Sequence, residues 1–434
     1  MTQYANWTDR LGKPDWFLKD RFGLFIHFGL YSLAARHEWL MTTEQISQED
    51  YARYFEHFNP ELMDMQQMAK TAKEAGMKYA VLTTKHHEGF ALWDTAFSDY
   101  KITNTQYKKD LVREYVDAFR AEGIKIGFYH SQIDWHHQEF TLDGLHPARD
   151  DEKLRQTNVN RSMPTYIEYL KNQVTELLTD YGRIDYIWFD FSYGHRDWGW
   201  SKGKGKADWQ SEEIFDLVMK LQPDIIMNDR LDLGIGVVTP EQYQPEKALE
   251  RNGQPVIWET CLAMKPTWGY DRDASEWKSS TTLIRTLVET VASDGNLLLN
   301  VGPNGKGELD EREESRLNAV GHWMKYHARS IYGAGSSEYL APKDCRYTQV
   351  GNKLYLHILS WPLRHLHLKG LAGKIDYIQF LHDHSEIYFR GFDQDEVITS
   401  TETLINHDSV MLELPIHPPN VAIPVIEIFL KPSS

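Results

Sequence analysis

Ile184-Asp185-Tyr186-Ile187-Trp188-Phe189-Asp190-Phe191-Ser192-Tyr193-Gly194 is the stretch on which the reading of the fold turns. Ile184, Tyr186, Ile187, Trp188 and Phe189 are bulky and nearly continuous, which is the pattern of a strand buried on both faces in a parallel sheet. The run then delivers an acid, Asp190, where the strand should end. In a β/α protein that end faces the mouth of the fold, where active sites lie.

The units on either side repeat the pattern. Residues 22–29 form a short strand ending at His27, followed by Glu38-Trp39 on a loop. A helix is expected from an Asn59 cap with Leu62, Met65, Met68, Ala69 and Ala72 on one face, stopped by Gly76. The strand 79–84 runs into His86-His87, helix 110–122 leads to strand 124–129 and His130, and helix 165–181 leads to the strand with Asp190. Helix 211–221, strand 224–228, a long loop 229–254, strand 256–258 with Glu259 at its end, helix 281–292, strand 296–301 and helix 311–326 complete the series. Alternation of this kind calls for a parallel sheet, and about seven strands fit a (β/α)8-like barrel with one element missing. From about Gly335 short runs rich in Ile, Leu, Tyr and Val alternate with turn residues and no helix intervenes. The expected organisation is therefore a (β/α)-barrel over residues 1–335 and an antiparallel β-sandwich over residues 336–434.

Composition narrows the function. The formal charge of −16 argues against nucleic acid or an anionic membrane as partner, since both need a positive field. Only Cys261 and Cys345 are present, without redox or metal-ligand spacing, and residues 1–13 carry no apolar signal segment, so the expectation is a soluble cytoplasmic protein. Aromatics reach 13% of the residues, including 14 Trp and 23 Tyr, a supply of rings suited to stacking on sugars.

The strand ends carry His27, Glu38, Trp39, His86, His87, Tyr129, His130, Trp188, Asp190, Asn228, Glu259 and Trp268. Adjacent histidines on an extended segment point to opposite sides, so a metal site is not expected and no cofactor is implied. His, Glu and indole N–H groups suit a ligand with several hydroxyls. Two carboxylates on separate strands, Asp190 and Glu259, are the minimum equipment for glycoside hydrolysis: one attacks the anomeric carbon and the other protonates the departing oxygen. Glu276, on the loop before helix 281–292, is a rival for the second role.

Taken together, Phe22-Gly23-Leu24-Phe25-Ile26-His27-Phe28-Gly29, Glu38-Trp39, Thr84-Lys85-His86-His87-Glu88-Gly89-Phe90, Trp188-Phe189-Asp190, Trp258-Glu259-Thr260, Trp268-Gly269-Tyr270 and Gly295-Asn296-Leu297-Leu298-Leu299-Asn300-Val301-Gly302-Pro303 resemble the α-L-fucosidases of glycoside hydrolase family 29. The resemblance covers residues 16 to about 335. It implies a barrel followed by a sandwich, and hydrolysis of terminal α-L-fucose from a fucosylated glycan with retention, through a covalent fucosyl-enzyme. It also implies Asp190 as nucleophile, Glu259 or Glu276 as acid/base, His27, Glu38, Trp39, His86, His87 and Tyr129 as ligands of the sugar hydroxyls, and Trp188 and Phe25 as an aromatic wall. Phe28 stands where the family commonly has Trp. A non-catalytic fucose-binding relative and a glycosidase for another sugar are the alternatives, and linkage preference is expected to reside in residues 136–161, 193–208 and 231–251.

Overall fold

The computed structural model describes residues 4–392 and 406–432. Seven parallel strands form a curled sheet: β1 (Phe22–Ile26), β2 (Tyr79–Lys85), β3 (Lys125–Ser131), β4 (Tyr186–Asp190), β5 (Ile226–Met227), β6 (Glu259–Ala263) and β7 (Asn296–Val301). Their order is β5-β4-β3-β2-β1-β7-β6. The two edges, β5 and β6, are joined by residues 237–241, the element missing from the alternation. Val237 N–H donates to Met227 O and Asp229 N–H to Val237 O, both at 2.9 Å, while on the other side Val238 N–H donates to Ile257 O at 3.0 Å and Cys261 N–H to Pro240 O at 3.0 Å. Asn6 braces this seam from below, donating to Gly236 O at 2.6 Å and Ile257 O at 2.8 Å. Pro240 lacks an N–H and cannot continue a regular ladder, which is why the segment reads as loop in the sequence.

Strand β4 shows how the layers separate. Tyr186 and Trp188 point into the barrel with Phe25, Tyr129 and Cys261, whereas Ile187 and Phe189 face the surrounding helices. Those helices are α1 (Met65–Glu74), α2 (Leu111–Ala121), α3 (Met163–Thr179), α4 (Ser211–Leu221), α5 (Ser280–Ala292) and α6 (Glu311–His327). Helix α2 is representative. Asp110 caps it by accepting from Arg113 N–H, and Leu111, Val112, Tyr115, Val116 and Phe119 form its buried face. Each such burial contributes about 1.5–3 kcal/mol, and the cap about 1 kcal/mol.

Two expectations are corrected. Helix α1 begins at an Asp64 cap, not at Asn59, and Leu62 is exposed. More consequentially, β6 starts at Glu259 where a strand 256–258 ending at Glu259 was expected. Residues 256–258 precede the ladder, so Glu259 lies at the bottom of the barrel and Ala263 at the catalytic end.

Beyond α6 the chain forms two antiparallel sheets. Strands β8 (Cys345–Val350), β9 (Lys353–Ile358), β10 (His365–Lys369), β11 (Ile375–Phe380), β12 (Phe389–Arg390), β13 (Ser409–Glu413) and β14 (Val425–Leu430) pair in the orders β8-β9-β14-β11 and β10-β13-β12. They enclose a second core with Leu354, Leu356, Leu368, Ile378, Leu412 and Ile428 at its centre. Arg329, just after α6, ties the two parts by its 3.1 Å ion pair to the buried Glu427. Among the described residues no helix is long and apolar enough to cross a membrane.

Candidate active site

At the catalytic end of the barrel a cavity of about 320 Å³ is lined by Phe25, His27, Trp39, His86, Tyr129, Trp188, Asp190, Phe191, Glu241, Cys261 and Trp268. Asp190, the last residue of β4, accepts from the Tyr129 hydroxyl at 2.7 Å and from Arg230 Nη1 at 3.1 Å. Burial is the largest influence on its carboxyl and pushes it up from the ordinary aspartate value. Arg230 opposes this, Glu241 adds to it, and the Tyr129 hydroxyl and Phe191 N–H pull it back. Phe191 has a φ of 81°, a left-handed conformation costly for a bulky residue, and its N–H is turned to the Asp190 carboxyl.

The histidines are neutral and oriented. Asn300 Nδ2 donates to Trp268 O at 2.7 Å, so its Oδ1 is an acceptor, and His27 Nδ1, 2.6 Å away, carries the proton. His27 Nε2 is left as an acceptor in the cavity, with the ring stacked on Trp268 at 5.2 Å. Ser131 gives its one hydroxyl proton to Ile133 O at 2.7 Å and must accept from His87 Nδ1 at 2.6 Å. His87 Nε2 then presents a lone pair to the cavity, 3.7 Å from Asp190 Oδ2. Burial pushes both imidazoles down to about 3. His86 packs its ring on Tyr129. The two adjacent histidines converge on one site because β2 ends at Lys85 and the chain turns through them, with Gly89 N–H donating to His86 O at 3.0 Å. The extended geometry expected from the sequence does not extend that far.

Of the residues singled out in the sequence, Phe25, His27, Trp39, His86, Tyr129, Trp188 and Asp190 line the cavity and His87 touches its carboxylate. Glu38 does not line it. Its Oε2 accepts from Trp268 N–H at 3.1 Å and Gly269 N–H at 2.9 Å, so it positions the Trp268 wall. Glu259 is outside it, fully buried beneath the site, where Tyr79 and Tyr186 hydroxyls donate to its carboxyl, the latter at 3.2 Å. Burial raises that carboxyl to about 8, against the hydroxyls that pull it down. Glu276 is exposed on the loop before α5.

The carboxylate that does join Asp190 is Glu241, at the end of the segment closing the barrel. Its Oε2 accepts from Arg230 Nη2 at 3.0 Å, so one guanidinium holds both acids. Arg230 is itself clamped, with Nε donating to Thr239 Oγ1 at 2.9 Å, its carbonyl accepting from Ser192 at 2.6 Å and its plane 5.0 Å from the Trp188 ring. Arg230 follows Asn228 by two residues and carried a detectable signal, a cation just beyond a strand end. Glu241 carried none, because its segment lacks strand periodicity.

The model of the family described as Alpha-L-fucosidase matches residues 2–329. A putative α-L-fucosidase of Caenorhabditis elegans is 32% identical over 349 residues, covering 74% of this chain and 67% of that protein. Among solved structures, α-L-fucosidase isoenzyme 1 from Paenibacillus thiaminolyticus superposes with a TM-score of 0.89 at 40% identity, over 96% of this chain and 98% of the other. A glycoside hydrolase family 29 α-L-fucosidase from Bacteroides thetaiotaomicron, a trapped covalent intermediate in complex with 2-fluoro-fucosyl fluoride, superposes at 0.80 with 25% identity, over 96% and 95%. A family match across the whole barrel, joined to a carboxylate pair in a pocket of neutral histidines and rings, leaves one conclusion: this chain belongs to the α-L-fucosidase family.

Proposed function

We propose that the protein hydrolyses terminal α-L-fucose from fucosylated glycans by double displacement, with Asp190 as nucleophile and Glu241 as acid/base. The observation that carries this reading is the shared guanidinium: a planar fork bonded to both carboxylates keeps them a few ångströms apart, on the order of the ~5 Å of a retaining pair. In the first step an Asp190 oxygen bonds to the anomeric carbon as the glycosidic bond breaks, and Glu241 gives its proton to the departing oxygen. In the second, Glu241 takes a proton from water, the water oxygen bonds to the anomeric carbon, and the ester to Asp190 breaks. Esterification removes the negative charge from Asp190 and leaves Arg230 paired with Glu241 alone.

The other groups serve binding. His27 and His87 accept from sugar hydroxyls through Nε2, while Phe25, Trp188 and Trp268 give an apolar wall to the ring and its methyl group. The test is hydrolysis of an aryl α-L-fucoside followed by NMR of the first-formed sugar. Release of the α-anomer before mutarotation is expected. Release of β-fucose first, or no turnover, contradicts the reading.

A further inference from the structure

Directly after Asp190 the chain rises as a β-hairpin. Its rungs run from Tyr193 N–H to Lys204 O at 2.7 Å, Gly203 N–H to Arg196 O at 2.8 Å, and Trp198 N–H to Ser201 O at 3.0 Å. The last rung encloses a two-residue turn, Gly199-Trp200. Gly199 has a φ of 79°, a conformation glycine adopts readily, and Trp200 follows it at the tip.

The foot of this hairpin is pinned to the catalytic pocket. The Tyr193 ring lies 5.5 Å from that of Phe191, a pocket residue. The Tyr193 hydroxyl donates to Asp143 at 2.8 Å, and Asp143 forms a buried ion pair with Lys204 on the returning strand. Trp198 lies against Gly144, where any side chain would collide with its ring. Of the hairpin's aromatic residues Trp200 is the exposed one, at 38%, with the Arg155 guanidinium 4.9 Å from its ring centroid.

We propose that Trp200 and Arg155 form a stacking platform for a distal pyranose ring of the leaving glycan, making extended fucosylated oligosaccharides the substrate class. This rests on the fucosidase reading above. The guanidinium lies over one face of the indole, so the opposite face takes the apolar C–H face of a sugar, and the guanidinium adds N–H donors for hydroxyls of the same glycan. Trp200 stands seven positions after Tyr193 and is not among the residues that line the cavity, so the ring it takes belongs to the glycan and not to the fucose.

The experiment compares an aryl α-L-fucoside, a fucosylated disaccharide and fucosylated oligosaccharides of increasing length and common linkage, using the full chain. The unmodified enzyme should favour the longer substrates by about tenfold in kcat/KM, equivalent to one good contact. Trp200→Ala should abolish that preference through KM and leave the aryl fucoside unchanged, Trp200→Phe should restore most of it, and Arg155→Met should weaken it. Length preference that survives Trp200→Ala, or an equal loss on aryl and oligosaccharide substrates, overturns the platform. Absence of turnover on every fucoside overturns the fucosidase reading instead. The platform is then judged by calorimetry with the fucose-free oligosaccharide, where binding that Trp200→Ala does not weaken overturns it.

Discussion

Asp190 and Glu241 are bonded to the two terminal nitrogens of one arginine, at 3.1 and 3.0 Å, although they stand on different elements of the barrel. Asp190 ends a regular strand, and Glu241 ends the irregular segment that closes the sheet. The pairing supports the acid/base role proposed for Glu241, a residue that no local pattern marks, and it makes the roles of three glutamates separable.

Loss of Glu241 should be felt according to the leaving group. Glu241→Ala is expected to slow alkyl and glycan fucosides about 10²- to 10⁴-fold and to spare the first step on aryl fucosides with acidic phenols. Azide should restore turnover by forming a fucosyl azide, because it needs no base. Steady-state kinetics with a leaving-group series checks this. The same signature from Glu259→Ala or Glu276→Ala would move the role.

Asp190→Ala should lower kcat on any fucoside by about 10³-fold or more while the thermal transition stays near that of the parent, since the covalent route has no substitute. Activity within about tenfold of the parent removes Asp190 from the nucleophile role.

The pH profile should respond to Arg230. Asp190 acts only when ionised, and burial already lifts its carboxyl, with Arg230 as the main opposing charge. Arg230→Met removes that charge, so the acid limb of kcat/KM should move to higher pH. A limb that stays put, or moves down, contradicts the ion pair's part in ionising Asp190.

His27→Phe and His87→Phe should each cost about ten- to a hundredfold in kcat/KM, the loss of one hydroxyl hydrogen bond in a closed site. Among the described residues no group of three or more His, Cys, Asp or Glu side chains is placed to hold a metal ion. EDTA should therefore leave the activity unchanged. Inactivation by the chelator, reversed by one divalent ion, would give the histidines a different function.

Glu259 should reveal itself in stability. Its carboxyl is raised to about 8 in the folded protein, whereas in the unfolded chain it titrates at its ordinary value near 4.5. The folded state then holds a proton that the unfolded state releases, so its contribution is complete below about pH 4.5 and is lost as pH rises towards 8. Glu259→Gln cannot titrate. Its urea midpoint relative to the parent should improve steadily across that range, and a constant difference would show that Glu259 is not a buried neutral acid.

Strand β4 was legible because its physics is local: four large side chains in succession, Tyr186 to Phe189, need burial on both faces, and the next residue stands at the strand end. The histidines that follow β1 and β2, the helix faces and the antiparallel strands beyond α6 follow from the same periodicities. The carboxylate that shares Arg230 with Asp190 was not legible. Glu259 follows Trp258 in a motif that looks like a strand end, but hydrogen bonding starts β6 there, and a shift of four residues in the strand end, from Glu259 to Ala263, moves a side chain from the mouth of a barrel to its floor. Nor was the bond of Glu38 Oε2 to the Trp268 and Gly269 N–H groups, which depends on two loops 230 residues apart. What the amino-acid order determined alone was which side chains must be buried and where strands break, since those depend on neighbours a few residues apart. Which carboxylate faces Asp190 was decided by the closing of the sheet, because Glu241 reaches Arg230 only when residues 237–241 bond to β5 on one side and β6 on the other.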